Sequence, residues 1–485
     1  MKCTNKSIGK NYIYNLAYQI LIIVIPLITM PYVSRRLGAD GIGKYSYTYS
    51  LVTYFMLLAV LGTSTYGQRE IAFHRDDDEK RMNIFVEILA FRGISTLVAL
   101  VGYIVFICII KENKLIMAIE AIYIIDVFFD VSWFFQGLEE FGKIIKRNLV
   151  ARILSCIFIL SFVKDADDLP LYVIGLSMFT LLGNLSVWVY LPKYIERIKI
   201  REINPFRHIK QVLELFLPTI AVQVYLVFDK TMLGMFTEAN YENGYYEQAE
   251  KIVKITLTIV TSMGTVMVPR VAYVFEKGSL EQVKEYIYRS YRFVWFLGLP
   301  LFTGIILLAD RIVPLFLGAE FGKCIGLIYV FSFLILLIGI SNVTGTQYLM
   351  PVKKQKMFTI SVTVGAVTNL IFNLLLIPRY YSTGAAIASV IAEGMVTLTQ
   401  LVYVIRGEEK FSMRRIFAPA GKYLVVSLAM FLCLGYIKSL LGTGIGAVFI
   451  LCASGMSIYF VLMILCKDEF VMRFAVALKN RVKAL

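Results

Sequence analysis

Residues 323–357 read KCIGLIYVFSFLILLIGISNVTGTQYLMPVKKQKM. From Ile325 to Leu349 the stretch carries no charge, and it then stops on Lys353, Lys354 and Lys356. A helix needs roughly 20 apolar residues to cross the bilayer core, and a span that ends on clustered lysines reads as one emerging on the cytoplasmic side. Working outward, the same pattern recurs. Apolar runs fall near 11–33, 45–66, 84–110, 115–138, 149–163, 170–191, 211–236, 251–273, 291–309, 323–349, 357–377, 384–405, 421–441 and 443–466. The expectation is an all-α integral membrane protein with about 14 transmembrane helices, the fifth run being short and the last two divided only around Gly442 and Thr443.

Composition agrees. The chain is 58% hydrophobic and 17% charged with a mean hydropathy of +0.71, against about 45–50% apolar and 25% charged in a soluble domain. The net charge of +15 would suggest nucleic acid in a soluble protein. Here Lys and Arg lie mostly between the apolar runs, so no nucleic-acid partner is expected. The loops PKYIERIKIREINPFRHIKQ (192–211) and PVKKQKM (351–357) are strongly basic, whereas TEANYENGYYEQAE (237–250) has no Lys or Arg. The positive-inside rule then places both termini in the cytoplasm. The first run follows Lys2, Lys6 and Lys10; it is too long for a signal-peptide core and is read as a retained helix.

The chain also repeats. WFFQGLEEFGK (133–143) aligns with TGTQYLMPVKK (344–354), bringing Gln136 onto Gln347 and Lys143 onto Lys354, and Leu37–Gly38 in the first hairpin matches Leu233–Gly234. Pro26 and Pro31 in the first run and Pro218 in the seventh are roughly corresponding kink positions. Two six-helix halves in one orientation form the parallel-repeat plan of many transporters. The expected division is a six-helix lobe at 1–208, a second at 209–406, and two further helices with a basic cytoplasmic tail at 407–485.

No catalytic or metal motif survives inspection. GADGIGKY (38–45) nearly matches a phosphate-binding loop but has Tyr45 where the magnesium-binding hydroxyl belongs, and it lies in a turn between apolar helices. The seven cysteines include no CxxC pair, and His74 and His208 have no ligand spacing. Neither an enzyme, a cofactor nor a metal site is expected. What stands out is charge inside apolar runs: Arg92, Asp126, Asp130, Asp229, Lys230 and Glu393, with Lys251 and Lys254 opening the eighth run and Arg35 and Arg36 ending the first. Each mid-membrane ionisable group costs roughly 2.5–3.5 kcal/mol on an insertion scale, so these side chains must pair or line a wet cavity. Structural pairing, for example of Asp229 with Lys254, and snorkelling of the flanking Lys251 and Arg152 to the interface are the plain alternatives to a functional role. Asp126 and Asp130 are spaced to share a helix face, with Trp133 and Gln136 following in the same helix.

NxxYQIxxxxxPLITMPYVSRRLGADGIGKYSY at the start, DKTMLG…NGYYEQAEKI between Asp229 and Ile252, and NLIFNLLLIPRYYSTGAAIASVIAE from Asn369 to Glu393 resemble the polysaccharide transporter family. These are Wzx-type O-antigen and capsule repeat-unit flippases of the multidrug/oligosaccharidyl-lipid/polysaccharide exporter (MOP) superfamily. The resemblance spans about 1–410. Tyr381 departs from it, standing where Gly is common. The resemblance implies two six-helix lobes around a central cavity, alternating access, and a substrate of undecaprenyl pyrophosphate carrying a short oligosaccharide. It implies a bacterial cytoplasmic membrane location and, as partners, polymerase and chain-length proteins of the pathway. A drug/cation antiporter of the superfamily, with an acidic cavity, and a flippase for another lipid-linked cell-wall precursor are the alternatives. Candidate pyrophosphate or sugar contacts are Arg35, Arg36, Arg92, Lys230, Lys254, Arg270, Gln136 and Gln347; candidate ion-coupling carboxylates are Asp126, Asp130, Asp229 and Glu393. The driving force expected is the membrane potential or an H+ or Na+ gradient.

Overall fold

A backbone in hydrocarbon must satisfy its own hydrogen bonds, which a helix does within one segment. The structure, a computed structural model, describes residues 5–194, 203–237, 240–407, 410–468 and 470–472, and every regular element among them is helical. Among the described residues the helices number 14, the count expected from the hydropathy pattern. Asn5–Val60 breaks at Gly38 into α1 and α2. After Leu61 and Gly62, α2 resumes as Thr63–Phe73. Then follow α3 (Asp78–Ile109), α4 (Lys114–Phe129, continued by the short Ser132–Gly137), α5 (Phe141–Phe162), α6 (Leu169–Trp188) and α7 (Ile209–Phe236). Next come α8 (Tyr241–Thr261, continued by Gly264–Glu276), α9 (Leu280–Phe316) and α10 (Lys323–Phe331, Phe333–Ser341 and the π-helical Asn342–Leu349). Gln355–Arg406 breaks at Tyr381 into α11 and α12, and α13 (Met413–Leu440) and α14 (Ile445–Leu465) complete the series.

Among the boundaries that differ from the sequence reading, three bear on the site. α5 begins at Phe141 and so takes Lys143, Lys146 and Arg147 into its first turns. α8 begins at Tyr241, which puts most of the supposed loop 237–250, Glu247 included, into a helix. The fourth helix is not continuous through Gln136. Asp130 caps it in an extended conformation, and its carboxylate accepts from both the backbone N–H (3.0 Å) and the hydroxyl of Ser132. That local bonding competes with the helix ladder. The corresponding helix of the second half is also irregular just before its glutamine, where α10 becomes π-helical, a distortion that recurs at functional sites.

Packing divides the chain into Met1–Glu247 and Gln248–Leu485. In the first unit α1 and α2 lie against α3, α4, α5 and α7, and α6 lies against α4 and α5. One apolar cluster gathers Tyr66, Phe85, Trp133, Phe134 and Phe135; a second gathers Leu51, Tyr103, Met117, Tyr123 and Ile124. In the second unit α9 is the central strut. The Trp295 indole N–H donates to the Ile416 carbonyl (2.8 Å), and the Tyr459 hydroxyl donates to the Phe296 carbonyl (2.6 Å), which fastens α13 and α14 to it.

Candidate functional site

In the first unit the α1–α2 turn meets the α7–α8 turn without side chains between them. A Cβ on Gly43 would lie 1.8 Å from the Asn240 carbonyl oxygen, and one on Gly244 would lie 2.1 Å from the Ala39 carbonyl oxygen. Only glycine admits such an approach. The contact is reciprocal: Ala39 and Gly43 on one turn stand to Asn240 and Gly244 on the other as those stand to them.

Polar side chains fasten this seam from beneath. Lys230 forms an ion pair with Glu247, whose Oε2 also accepts from the Ser46 hydroxyl at 3.0 Å. The Tyr246 hydroxyl donates to Asp229 at 2.6 Å. Thr231 bonds Ser50 (2.9 Å) and Tyr54 (2.9 Å), and the Asn243 amide donates to the Lys230 carbonyl (3.1 Å). Asp229, Glu247, Tyr246 and Asn243 are buried and Lys230 half-buried. The chain therefore places a cation, its carboxylate partner and a second carboxylate together in a largely buried cluster, joining helices that are far apart in sequence. Lys254 pairs instead with Glu250 one turn away (2.8 Å), which is not the Asp229 pairing considered from the sequence.

A second polar network crosses α2, α3, α4, α5 and α6. The guanidinium of Arg92, 1% exposed, donates to the hydroxyls of Thr63 (2.8 Å) and Ser64 (2.6 Å) and to the Asp130 carbonyl (2.5 Å), with Trp133 below it at 5.9 Å. Its acceptors are exposed by helix breaks, the α2 restart and the Asp130 cap. Asp126 accepts from the Asn184 amide at 2.6 Å. Arg147 donates to Asn184 and Ser132 (2.9 Å) and lies 3.6 Å from Asp130. Asp126 and Asp130 thus belong to one network, with Asn184 and Arg147 between them.

The remaining expected residues are dispersed. Arg35 and Arg36 are exposed at the end of α1, with Arg36 over the Tyr32 ring. Arg270 is exposed on α8, and Gln136 is half-buried. Gln347 is buried, its amide donating to Asn342 at 3.1 Å. Glu393 is half-buried on α12. Sequence reasoning passed over three groups. Glu120 is wholly buried on α4, one oxygen accepting from Thr48 (2.9 Å) and the other without a hydrogen-bond partner among the described residues; it lies inside the apolar run 115–138 and satisfies the criterion that singled out Asp126. Glu247 was hidden by its assignment to a loop. Glu87, buried on α3, accepts from His208 (2.9 Å) and the Asn204 N–H (3.1 Å) and pairs with Arg207 (3.1 Å); no local pattern announces that contact.

The sequence profile of the polysaccharide biosynthesis protein family matches residues 8–275. The "Putative O-antigen transporter" of Shigella dysenteriae is 23% identical over 399 residues, which is 81% of this chain and 96% of that protein. Among solved structures, "Lipid II flippase MurJ, inward closed conformation" superposes with a TM-score of 0.72 at 16% identity, covering 95% of this chain and 100% of that one. An inward-facing multidrug resistance MATE family transporter of the MOP superfamily gives 0.64 at 16% identity, covering 84% of this chain and 99% of that one.

Proposed function

The chain belongs to the polysaccharide biosynthesis protein family, and from that premise we propose that it is a flippase moving undecaprenyl-pyrophosphate-linked oligosaccharide repeat units from the inner to the outer leaflet by alternating access, for O-antigen, capsule or exopolysaccharide synthesis. The observation that carries the reading is likeness over 81% of its length to a protein named as a putative O-antigen transporter, joined to the cation–carboxylate cluster beneath the glycine seam. With both termini cytoplasmic in the bacterial inner membrane, the seam lies at the outer end and is closed.

The energetics set the task. An unpaired charge in hydrocarbon costs tens of kcal/mol in the Born limit, so a pyrophosphate needs a cationic, wet path while its lipid tail stays in the bilayer. Lys230 is the cation best placed to serve it, because its present partner Glu247 is an anion that phosphate can replace. Displacing Glu247 would loosen the seam and so tie loading to outward opening. Arg92 contributes by holding α2 to α4, and Arg35, Arg36, Lys254 and Arg270 supply further positive charge. Gln136 and Gln347 offer amides to sugar hydroxyls. Moving a charge across the membrane is worth about 2.3 kcal/mol per 100 mV, so a potential negative inside drives the anionic head group outward. Resetting then falls to H+ or Na+ exchange at Asp126, Asp130, Asp229, Glu393 or Glu120.

The deciding experiment deletes the gene and identifies lipid extracts by mass spectrometry. Accumulation of an undecaprenyl-pyrophosphate oligosaccharide, relieved by the intact gene and not by Lys230→Ala, is the expected result. Changed drug susceptibility with no accumulated lipid-linked glycan would instead make the protein an antiporter.

A further inference from the structure

α7 is fastened to α2 and its neighbours at both ends, and the two fastenings are alike. It is a rod of 28 residues, about 42 Å long at 1.5 Å per residue. Near its C-terminal end lie the glycine seam and the Lys230–Glu247 pair. At its N-terminal end the backbone again runs close to a glycine. Gly62, where α2 restarts with a φ of 78°, would set a Cβ 3.0 Å from the Val212 carbonyl oxygen. Beside that contact the segment 204–208, which leads into α7, is tied to α3 through one carboxylate. Glu87 Oε1 accepts from the Asn204 backbone N–H (3.1 Å) and pairs with Arg207 (3.1 Å), and its Oε2 accepts from His208 Nε2 (2.9 Å). The other ring nitrogen of His208 bonds the Tyr66 hydroxyl on α2 (2.7 Å), and the Phe206 ring meets Phe91 edge-on at 6.0 Å.

The chemistry of this contact gives it two states. Glu87 is 1% exposed and lies near the start of the apolar run 84–110. Among the described residues, the groups that bond it all come from the segment before α7. Lifting that segment away strands a buried carboxylate, which is strongly unfavourable, unless water takes the place of the lost donors. The segment is therefore either docked on a dry Glu87 or lifted with Glu87 hydrated, and a partial opening gains neither set of bonds. Contacts that switch between two discrete arrangements in this way are the elements from which conformational transitions are built. The Lys230–Glu247 pair at the far end of the same helix has the same character.

We propose that Glu87, His208 and Tyr66 form the latch of the inward gate: the docked segment holds the start of α7 against α2 and α3, and its release opens the protein on the side where the basic loops lie. The seam and the latch are the two ends of one lever, so freeing one while the other stays fastened exposes the interior to one side at a time. The inference rests on the alternating-access part of the proposed function, and not on the identity of the substrate.

Two cysteine reporters test it, each in the full chain with its seven native cysteines replaced. Val212→Cys, at a position 1% exposed beside the latch, reports inward opening to an impermeant thiol reagent in inside-out vesicles. Ser46→Cys, at a position buried under the seam, reports outward opening in right-side-out ones. His208→Ala should raise the labelling of Val212→Cys about tenfold, the weight of one hydrogen bond to a charged group. Tyr66→Phe removes a single hydroxyl and should raise it less. Combined with Gly43→Ala, which opens the seam, His208→Ala should lower the labelling of Ser46→Cys. Thermal unfolding of each variant establishes that it is folded. Unchanged labelling of Val212→Cys in both latch variants overturns the proposal. A rise there with no fall at Ser46→Cys also overturns it, because the segment would then only fray. The premise has its own readout in Gly43→Ala alone: if that variant exposes Ser46→Cys without lowering the labelling of Val212→Cys, alternating access itself fails and the latch falls with it.

Discussion

Arg92 shows what a residue read from sequence can and cannot disclose. Its position inside an apolar run marks it as costly, and the structure has it buried among Thr63, Ser64, the Asp130 carbonyl and Trp133. None of those partners is legible beforehand, because each acceptor depends on a break in a neighbouring helix. Lysine cannot serve several acceptors that diverge around a planar fork. Arg92→Lys should therefore cost about 2–3 kcal/mol of stability, by the worth of hydrogen bonds to charged groups, read as a lower unfolding temperature in detergent. Loss of export at unchanged unfolding temperature would instead put Arg92 on the substrate. Asp468, beyond the end of α14, is tested by acid. Burial pushes its carboxyl pKa up, but hydrogen bonds from Lys422, Tyr423 and the Phe470 N–H outweigh this and hold it below the usual carboxylate range. A depressed folded-state pKa contributes stability above the unfolded value, lost as the pH falls through the folded one. Asp468→Asn should lower the unfolding temperature at neutral pH, and that difference should shrink below about pH 4, where the unfolded-state aspartate protonates.

At the scale of elements, the helices were legible because lipid demands long apolar runs, and the breaks were not, because they come from side-chain bonding and turn geometry. Tyr381 is the exception that the sequence flagged. It is the position at which the sequence departs from the pattern it resembles, and its φ of 52° and ψ of −130° fall where L residues are strained. Tyr381→Gly should raise stability by about 1 kcal/mol, since relief of roughly 1–3 kcal/mol of strain exceeds the entropy glycine costs; a lower unfolding temperature would contradict the strain. The seam between the α1–α2 and α7–α8 turns is the opposite case, a place that tolerates only glycine. Gly43→Ala sets a methyl group against the Asn240 carbonyl and should hold the seam apart. Labelling of Ser46→Cys, buried in the parent protein, by an impermeant thiol reagent applied outside should then rise severalfold.

For the whole molecule, the number of helices was readable from hydropathy. The packing division at Glu247 was not, since it arises because α7 lies against α1 and α2, a tertiary contact. Topology rests on charge alone and is tested by reporter fusions. A fusion at Pro205 should report the cytoplasm and one at Thr237 the exterior; the reverse would invert the orientation and the direction of transport proposed with it.

The reciprocity of the glycine seam has a consequence of another kind. Two turns that each offer a glycine to the other's carbonyl reproduce an isologous interface, in which residue i meets j and j meets i about a twofold axis. Such geometry is what two copies of one half-length chain would make on pairing side by side. Duplication and fusion of a dimeric ancestor would preserve it, and the two turns would then be free to diverge everywhere except at Gly43 and Gly244.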